Sequence, residues 1–211
     1  MRQQREQQQR PRVGVVSMMR NYEVHKNIRK CFSALGAQLT IYKYNDPRLY
    51  NIIKDPATPS HWFFTGNSPD FVTDDCAPSI DERIYTIKNK MMFFVCYSHQ
   101  LIAKAAGCVI WQAPALFKGE CQLSRRVADP IFTGVAADEK FAVYHRQYVT
   151  PDCKPPGWKL LATCINRGVE YIAFMKHGKN MYASQVHPEF LEVTYRVLEN
   201  WLEAVALVAS A

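Results

Sequence analysis

Short apolar runs alternate with segments of helical periodicity in the first half of the chain, and this alternation restricts the possible folds more than any other feature. Such a pattern is typical of a parallel sheet covered by helices on both faces, because parallel strands need long crossover connections. Strands are predicted over residues 13–16, 39–42, 61–64 and 91–95. Helices are predicted over residues 24–35, 80–88 and 101–106.

The second half of the chain is richer in strands. Alternating apolar and polar residues predict strands over 141–144, 158–164, 169–174 and 181–184. Because these strands follow one another closely, we expect some of them to pair in antiparallel. The chain ends in a helix with apolar residues spaced four and three apart: Leu191, Tyr195, Leu198, Leu202 and Val205. The sequence therefore predicts an α/β fold with a mostly parallel central sheet, helices on both faces and some antiparallel strands.

Composition and charge set the domain organisation. Residues 1–11 are rich in Gln and Arg without apolar periodicity, which predicts a flexible basic arm, and residues 12–211 are predicted to form a single domain. The net charge of +7 is otherwise scattered, which does not favour a nucleic-acid partner. The sequence lacks the roughly 20 consecutive apolar residues of a membrane span and a secretory h-region, so a cytoplasmic protein without a membrane partner is predicted.

The cysteines and several histidines point away from metal and disulfide chemistry. The seven cysteines are spread out and form no C-x-x-C pair, so the sequence suggests neither a disulfide framework nor a zinc site, and a reduced compartment fits best. His25, His61 and His177 have no acidic or cysteine partners at ligand spacing, so they are predicted to be surface or core residues. No metal site is expected.

Cys96 lies between a predicted buried strand and a predicted helix. At such an elbow a nucleophile stands above the sheet edge, where the helix dipole stabilises a thiolate and free backbone N–H groups can bind an oxyanion. The alternative is that Cys96 is the last residue of a buried strand, since free cysteines are commonly buried. This segment alone leaves both interpretations open.

The segment SQVHPEF, residues 184–190, lies between the last predicted strand and the last helix. His187 can serve as the base for a thiol, and Glu189 can orient its imidazole, which is the logic of a Cys-His-Glu triad. The alternative is a helix N-terminus at which the glutamate complements the dipole and the histidine is incidental.

Together these segments resemble the class I glutamine amidotransferase family, in particular single domains similar to the GMP synthase glutaminase. Residues 94–100, FVCYSHQ, are similar to the family's nucleophile motif G-I-C-x-G-H-Q, and residues 185–189 to its base motif Q-F-H-P-E. Residues 64–69, FTGNSP, resemble the oxyanion loop, and residues 129–135, DPIFTGV, resemble the D-P-L-F-x-G-L turn. The resemblance covers nearly the whole chain beyond the arm and implies the family's flavodoxin-like fold.

The resemblance also implies a reaction and its residues. Cys96 would attack the glutamine side-chain amide, His187 would be the base and Glu189 would orient it, releasing ammonia through a thioester. The other implied site residues are the backbone N–H groups of the oxyanion hole and two side chains beside the substrate: Gly66, Asn67, Tyr97, Gln100 and His145. No cofactor is implied, and a separate synthase subunit would accept the ammonia.

Two residues depart from the nucleophile motif. Phe94 and Ser98 stand where the family has glycine. Because side chains two apart in a strand point to the same side, alternation predicts that the Phe94 ring projects beside Cys96, into the space for a glutamine. Ser98 adds a side chain at a turn that demands unusual backbone angles. An inactive domain serving as a structural or interaction subunit, or a hydrolase of another γ-glutamyl amide, are therefore the alternatives to glutamine hydrolysis.

Overall fold

The computed structural model describes residues 10–67, 70–124 and 126–204. Within them, four α-helices accompany one curled mixed sheet of nine strands. The strands are β1 Arg12–Ser17, β2 Gln38–Lys43, β3 His61–Phe64, β4 Met91–Val95, β5 Trp111–Ser124, β6 Lys140–Tyr148, β7 Trp158–Asn166, β8 Val169–His177 and β9 Met181–Ser184. The helices are α1 Lys26–Ala34, α2 Leu49–Lys54, α3 Tyr97–Ala105 and α4 Tyr195–Glu203.

The sheet has the order β2-β1-β3-β4-β9-β8-β7-β5-β6. The first five strands in this order are parallel, and the remaining pairings are antiparallel. The predicted α/β fold, with antiparallel strands in the second half, is therefore confirmed. Because β9 comes last in the chain but lies beside β4, the end of the domain returns to the centre of the sheet.

Two apolar layers sandwich the parallel part of the sheet. On one face Phe63, Phe93 and Val95 pack against α1 and α4. On the other face Phe64 and Phe94 pack against α2 and α3. This division follows from strand periodicity, which sends successive side chains to opposite faces. The aromatic runs of β3 and β4 are fully buried, as predicted for core strands.

The prediction of individual elements differs from the structure in four places. Strand β5, the longest, was not predicted, and its pairing with β6 is interrupted between Gln112 and Phe117. Helix α2 was not predicted, and the helix expected over residues 80–88 is only a 3-10 helix, Glu82–Thr86. The last helix begins with a 3-10 turn, Glu192–Thr194, before α4, and Val205 of its predicted stripe lies outside the described residues.

The cysteines and the first residues add two further findings. Cys121 of β5 and Cys164 of β7 form a disulfide between neighbouring strands, contrary to the expectation of no disulfide. Most of the predicted arm, residues 1–9, lies outside the described residues, while the Pro11 carbonyl already accepts a hydrogen bond from Gln38 N.

Among the described residues, no helix combines the length and the apolar character needed to cross a membrane.

Gly14 of β1 is required by close packing. A Cβ placed there would lie 2.6 Å from Cε3 of Trp62, in the middle of a fully buried layer. We expect Gly14→Ala to lower the free energy of unfolding by about 1–3 kcal/mol through overpacking, measured by urea denaturation. Combining it with Trp62→Leu should cost less than the sum of the single losses, because the smaller side chain leaves room for the methyl group. Strictly additive losses would contradict this contact.

Candidate functional site

Three parallel strands bring the candidate residues to one edge of the sheet. Phe64 of β3 lies beside Phe94 of β4, and Val95 of β4 lies beside Ser184 of β9. Because parallel strands end at the same edge, the segments that follow them emerge side by side. These segments carry Gly66, Cys96 and His187.

Cys96 is the residue between β4 and α3, and its backbone is strained. Its φ is +52° and its ψ is −102°, a region that costs a non-glycine residue about 1–3 kcal/mol. The Cys96 N–H donates to Ser184 O at 2.6 Å, and Cys96 O accepts from Gln100 N at 3.1 Å. Hydrogen bonds on both sides of Cys96 therefore hold the predicted elbow. The residue is 5% exposed.

The expectation that the Phe94 ring projects beside Cys96 is wrong. Phe94 lies on the opposite face of the sheet, where its ring stacks on Phe64 at 4.4 Å and meets Tyr85 edge-on. Cys96 shares the other face with Val95, because its positive φ interrupts the strand alternation. The Phe94 ring therefore leaves the space beside the thiol free.

Ser98 also differs from its expectation. It lies within α3, so the unusual backbone angles fall on Cys96 rather than on Ser98. Its fully buried hydroxyl donates to the carbonyl of Thr65. The serine thus ties the segment after β3 to the helix that follows Cys96.

His187 and Glu189 form a buried pair. Nδ1 of His187 lies 2.8 Å from Oε1 of Glu189, and the glutamate is 1% exposed. The backbone N–H of His187 donates to Ala142 O at 2.9 Å, which fixes the segment against β6. Since a carboxylate only accepts, Nδ1 carries the proton, and Nε2 is the nitrogen left for another group.

The charges around His187 favour its protonated form. Burial by itself lowers the pKa of an imidazole, but the negative charges of Glu189 and Cys96 act in the opposite direction and raise the pKa of His187 to about 10. A cationic imidazole near a cysteine favours the thiolate, the reactive form of that side chain.

The segment after β3 approaches both residues. A Cβ placed on Gly66 would lie 3.4 Å from Cys96 Cβ and 3.4 Å from His187 Cε1. Asn67 donates through Nδ2 to Asp70, and Tyr97 anchors its hydroxyl on Pro78 O. As the first residue of α3, Tyr97 has a backbone N–H without an intrahelical partner. Ser68 and Pro69 of the loop motif lie outside the described residues.

The side chain of Gln100 connects two other glutamines near Cys96 through hydrogen bonds. Its Nε2 donates to Gln147 O at 2.7 Å and to Oε1 of Gln185 at 3.0 Å. The amide of Gln185 is thereby oriented so that its Nε2 lies 3.5 Å from Cys96 Sγ. Gln185 had no predicted role, although its place in the base motif, two residues before His187, was a usable signal.

Two cavities meet at Cys96. The larger, about 760 Å³, contains Gly66, His187 and Glu189. The smaller, about 270 Å³, contains Tyr97, Gln100 and His145. Cys96, Asn67 and Tyr144 line both cavities, so the thiol is reached from either side.

The other histidines near Cys96 lie either in a cavity lining or in the core. His145 lines the smaller cavity, as predicted, and its Nδ1 lies 3.0 Å from Gln147 O. His99 is fully buried and belongs to neither lining. Burial lowers the pKa of both, to about 3. His25, predicted to be a surface or core residue, is exposed and lines the larger cavity. Among the described residues, no group of three or more His, Cys, Asp or Glu could hold a metal ion.

Replacing Phe94 separates packing from reactivity. We expect Phe94→Ala to lower the free energy of unfolding by about 3–5 kcal/mol, because it empties a fully buried site. The rate of Cys96 alkylation by iodoacetamide, per folded molecule, should stay within about twofold of wild type, since additive effects are expected for residues without shared contacts. A large rate increase would instead place the ring against the thiol.

The raised pKa of His187 predicts a pH-dependent stability. Because its folded pKa of about 10 exceeds the unfolded value of 6.5, protonated His187 stabilises the fold below pH 6.5, and this contribution is lost as the pH rises towards 10. The free energy of unfolding of Cys96→Ala, which has no thiol to give up a proton when the imidazole gains one, should therefore fall across this range relative to Cys96→Ala/His187→Gln, by up to about 1.4 kcal/mol per pH unit. Urea denaturation at several pH values measures it, and a constant difference would show that His187 is not cationic.

Known proteins resemble this chain over most of its length. A family model described as "Glutamine amidotransferase class-I" matches residues 18–204. The GMP synthase [glutamine-hydrolyzing] of Pyrobaculum aerophilum is 34% identical over 143 residues, which are 67% of this chain and 27% of that relative. The corresponding enzyme of Clostridium kluyveri is 28% identical over 160 residues, 74% of this chain and 30% of the relative. The chain thus spans less than a third of these two relatives.

Solved structures show the same fold. The putative GMP synthase subunit from Thermoplasma acidophilum has a TM-score of 0.71 at 17% identity and covers 96% of this chain and 97% of its own. A glutamine amidotransferase from Thermotoga maritima has a TM-score of 0.61 at 13% identity, covering 96% of this chain and 85% of its own. With the family model matching most of its length, the chain belongs to the class I glutamine amidotransferase family.

Proposed function

We propose that this protein hydrolyses glutamine with a Cys96-His187-Glu189 triad and supplies the ammonia to a synthase. The observation that carries the proposal is the meeting of a strained cysteine with a buried His-Glu pair at one sheet edge. A nucleophile, a base beside it and a group that orients the base are the parts of covalent acyl transfer. Membership in the amidotransferase family supports glutamine as the acyl donor.

The first step uses the charge distribution of the site. The Cys96 thiolate, stabilised by protonated His187 and by the α3 N-terminus, attacks the side-chain amide carbon of glutamine. The electron pair of the carbonyl moves onto its oxygen. The backbone N–H groups of Tyr97 and of Gly66 or Asn67 stabilise this oxyanion, because they are fixed before the charge develops.

The second step releases the products. Protonated His187 gives its Nε2 proton to the amide nitrogen, the C–N bond breaks, and ammonia leaves a thioester on Cys96. Water then attacks the thioester while His187 takes up its proton, and glutamate departs. Glu189 keeps the imidazole oriented in both steps, since it holds Nδ1 throughout. Each proton is thereby moved within the site, and the cycle needs no cofactor.

The smaller cavity fits the rest of the substrate. Its lining includes Gln100 and His145 together with an acidic side chain, Asp70, and a basic one, Arg146. Asp70 is paired with Arg20, and Arg146 donates to the carbonyls of Ala113 and Pro114, so both charged groups are held in place beside the cavity. We propose that they face the ammonium and carboxylate of a free amino acid. The two alternatives, an inactive domain and a hydrolase of another γ-glutamyl amide, lose their main support, because the Phe94 ring stays on the opposite face of the sheet.

The partner is proposed from the relatives. The chain matches 27–30% of the length of two glutamine-hydrolysing GMP synthases. Because these relatives are named as GMP synthases, we propose that a synthase consumes the ammonia made here. The larger cavity opens beside Cys96, so the released ammonia would leave through this cavity.

A glutaminase assay tests the proposal. We expect wild type, alone or with a co-purifying partner, to release glutamate from glutamine, and Cys96→Ala to lose at least about 10³-fold of that rate. Cys76→Ala is the matched control, because Cys76 is an exposed free thiol and should keep the wild-type rate. Equal glutamate release by the Cys96 variant would contradict the triad, and no release by wild type with its partner would favour the inactive domain.

A further inference from the structure

Three rings are stacked from the surface of the protein to the proposed base. The ring of Phe190 lies 4.4 Å from that of His187, with 24° between their planes. The ring of His25 also stacks on Phe190, with 5.1 Å between the centroids and 23° between the planes. All three side chains line the larger cavity. They come from two separate elements, since His25 caps the N-terminus of α1 and the others follow β9.

The stack supplies a constraint that hydrogen bonds to His187 cannot. The bond from Nδ1 to Glu189 fixes one end of the imidazole, and it permits the ring to tilt about that end. Only a contact on the ring face fixes the plane, and with it the direction of Nε2. Phe190 makes this contact, and its backbone N–H donates to His187 O at 3.3 Å, which keeps the turn closed.

The outer ring is itself held. Nδ1 of His25 accepts a hydrogen bond from Asn27 N at 3.2 Å, so the ring is oriented by the first turn of α1. Phe190 therefore stacks on two anchored rings, which limits its freedom to rotate away from His187.

The stack also affects the charge state of His187. A cation over the face of an aromatic ring is stabilised by about 0.5–2 kcal/mol. The titratable groups nearest to His187 are Glu189 at Nδ1, Cys96, and His145 from β6, with Cys31 and Tyr195 beside Glu189. The same cavity is also lined by Glu23, Lys26 and Tyr144. Burial keeps the His145 imidazole and the Cys31 thiol neutral, so the ring face of Phe190 is a further contribution to the cationic form of His187.

We propose that Phe190, supported by His25, is a positioning residue that fixes the plane of the His187 imidazole and favours its protonated form. The proposal rests on the function assigned to His187 above. It adds a specific consequence, namely that the reactivity of Cys96 depends on an aromatic face that touches neither the thiol nor the substrate.

The test compares Phe190→Leu with Phe190→Tyr in the full chain. Two readouts need no glutamine: the NMR titration of His187 and the rate of Cys96 alkylation by iodoacetamide at neutral pH. Phe190→Leu should lower the pKa of His187 by about 0.4–1.5, and it should slow alkylation by more than twofold because the unsupported imidazole no longer stays against the thiolate. Phe190→Tyr retains the ring face and should stay within twofold of wild type. His25→Ala should change both readouts in the same direction as Phe190→Leu, but less.

A matched control separates positioning from stability. Phe132 is a buried ring packed edge-on against Phe174, away from both cavities. Phe132→Leu should reduce stability and leave the His187 titration and the alkylation rate unchanged. A folded Phe190→Leu protein with wild-type values of both would overturn the proposal, as would equal changes in Phe132→Leu. Absent glutaminase activity with the expected shifts would refute only the proposed function.

Discussion

The register between β4 and β9 is the constraint on which the site depends. Val95 lies beside Ser184, and the Cys96 N–H donates to Ser184 O at 2.6 Å. This bond places a residue from the middle of the chain next to a segment almost ninety positions later. A slip of one residue would turn the side chains of β9 to the opposite faces of the sheet and would shift the segment that carries His187 by about 3.3 Å. The approach of Cys96 to His187 therefore depends on this strand pairing.

The packing beneath the site explains how strain and charge are tolerated there. Phe93 contacts Phe63 and Trp201 in a fully buried layer under the elbow, and this rigid layer can hold Cys96 at its positive φ. The buried glutamate is paired with an imidazole whose pKa is raised, so neither charge is left without a counter-charge. The Phe190 ring packs on one face of the His187 imidazole and adds a packing contact to these charge interactions.

Much of this could be predicted from the sequence, and the exceptions have physical reasons. The strands of the parallel half were predicted from buried apolar runs. The candidate residues Cys96, His187 and Glu189 were selected from short motifs. Both signals are local in the sequence. Strand β5 was not predicted, since Pro114, Gly119 and many exposed residues mask its alternation. The position of Phe94 was wrong because alternation stops at a positive φ that the sequence does not reveal. The Cys121–Cys164 disulfide and the His25–Phe190 contact join distant residues, and no spacing signals them.

The proposed site depends on Cys96 being the thiol that glutamine meets at this sheet edge. A diazoketone analogue of glutamine tests this directly, because such an electrophile must first bind as the substrate does and then alkylates the nearest thiolate. Peptide mapping by mass spectrometry should find the adduct on Cys96, with protection by free glutamine and little labelling of His187→Gln. Labelling of another cysteine, or labelling of Cys96 that glutamine does not prevent, would contradict the proposed site.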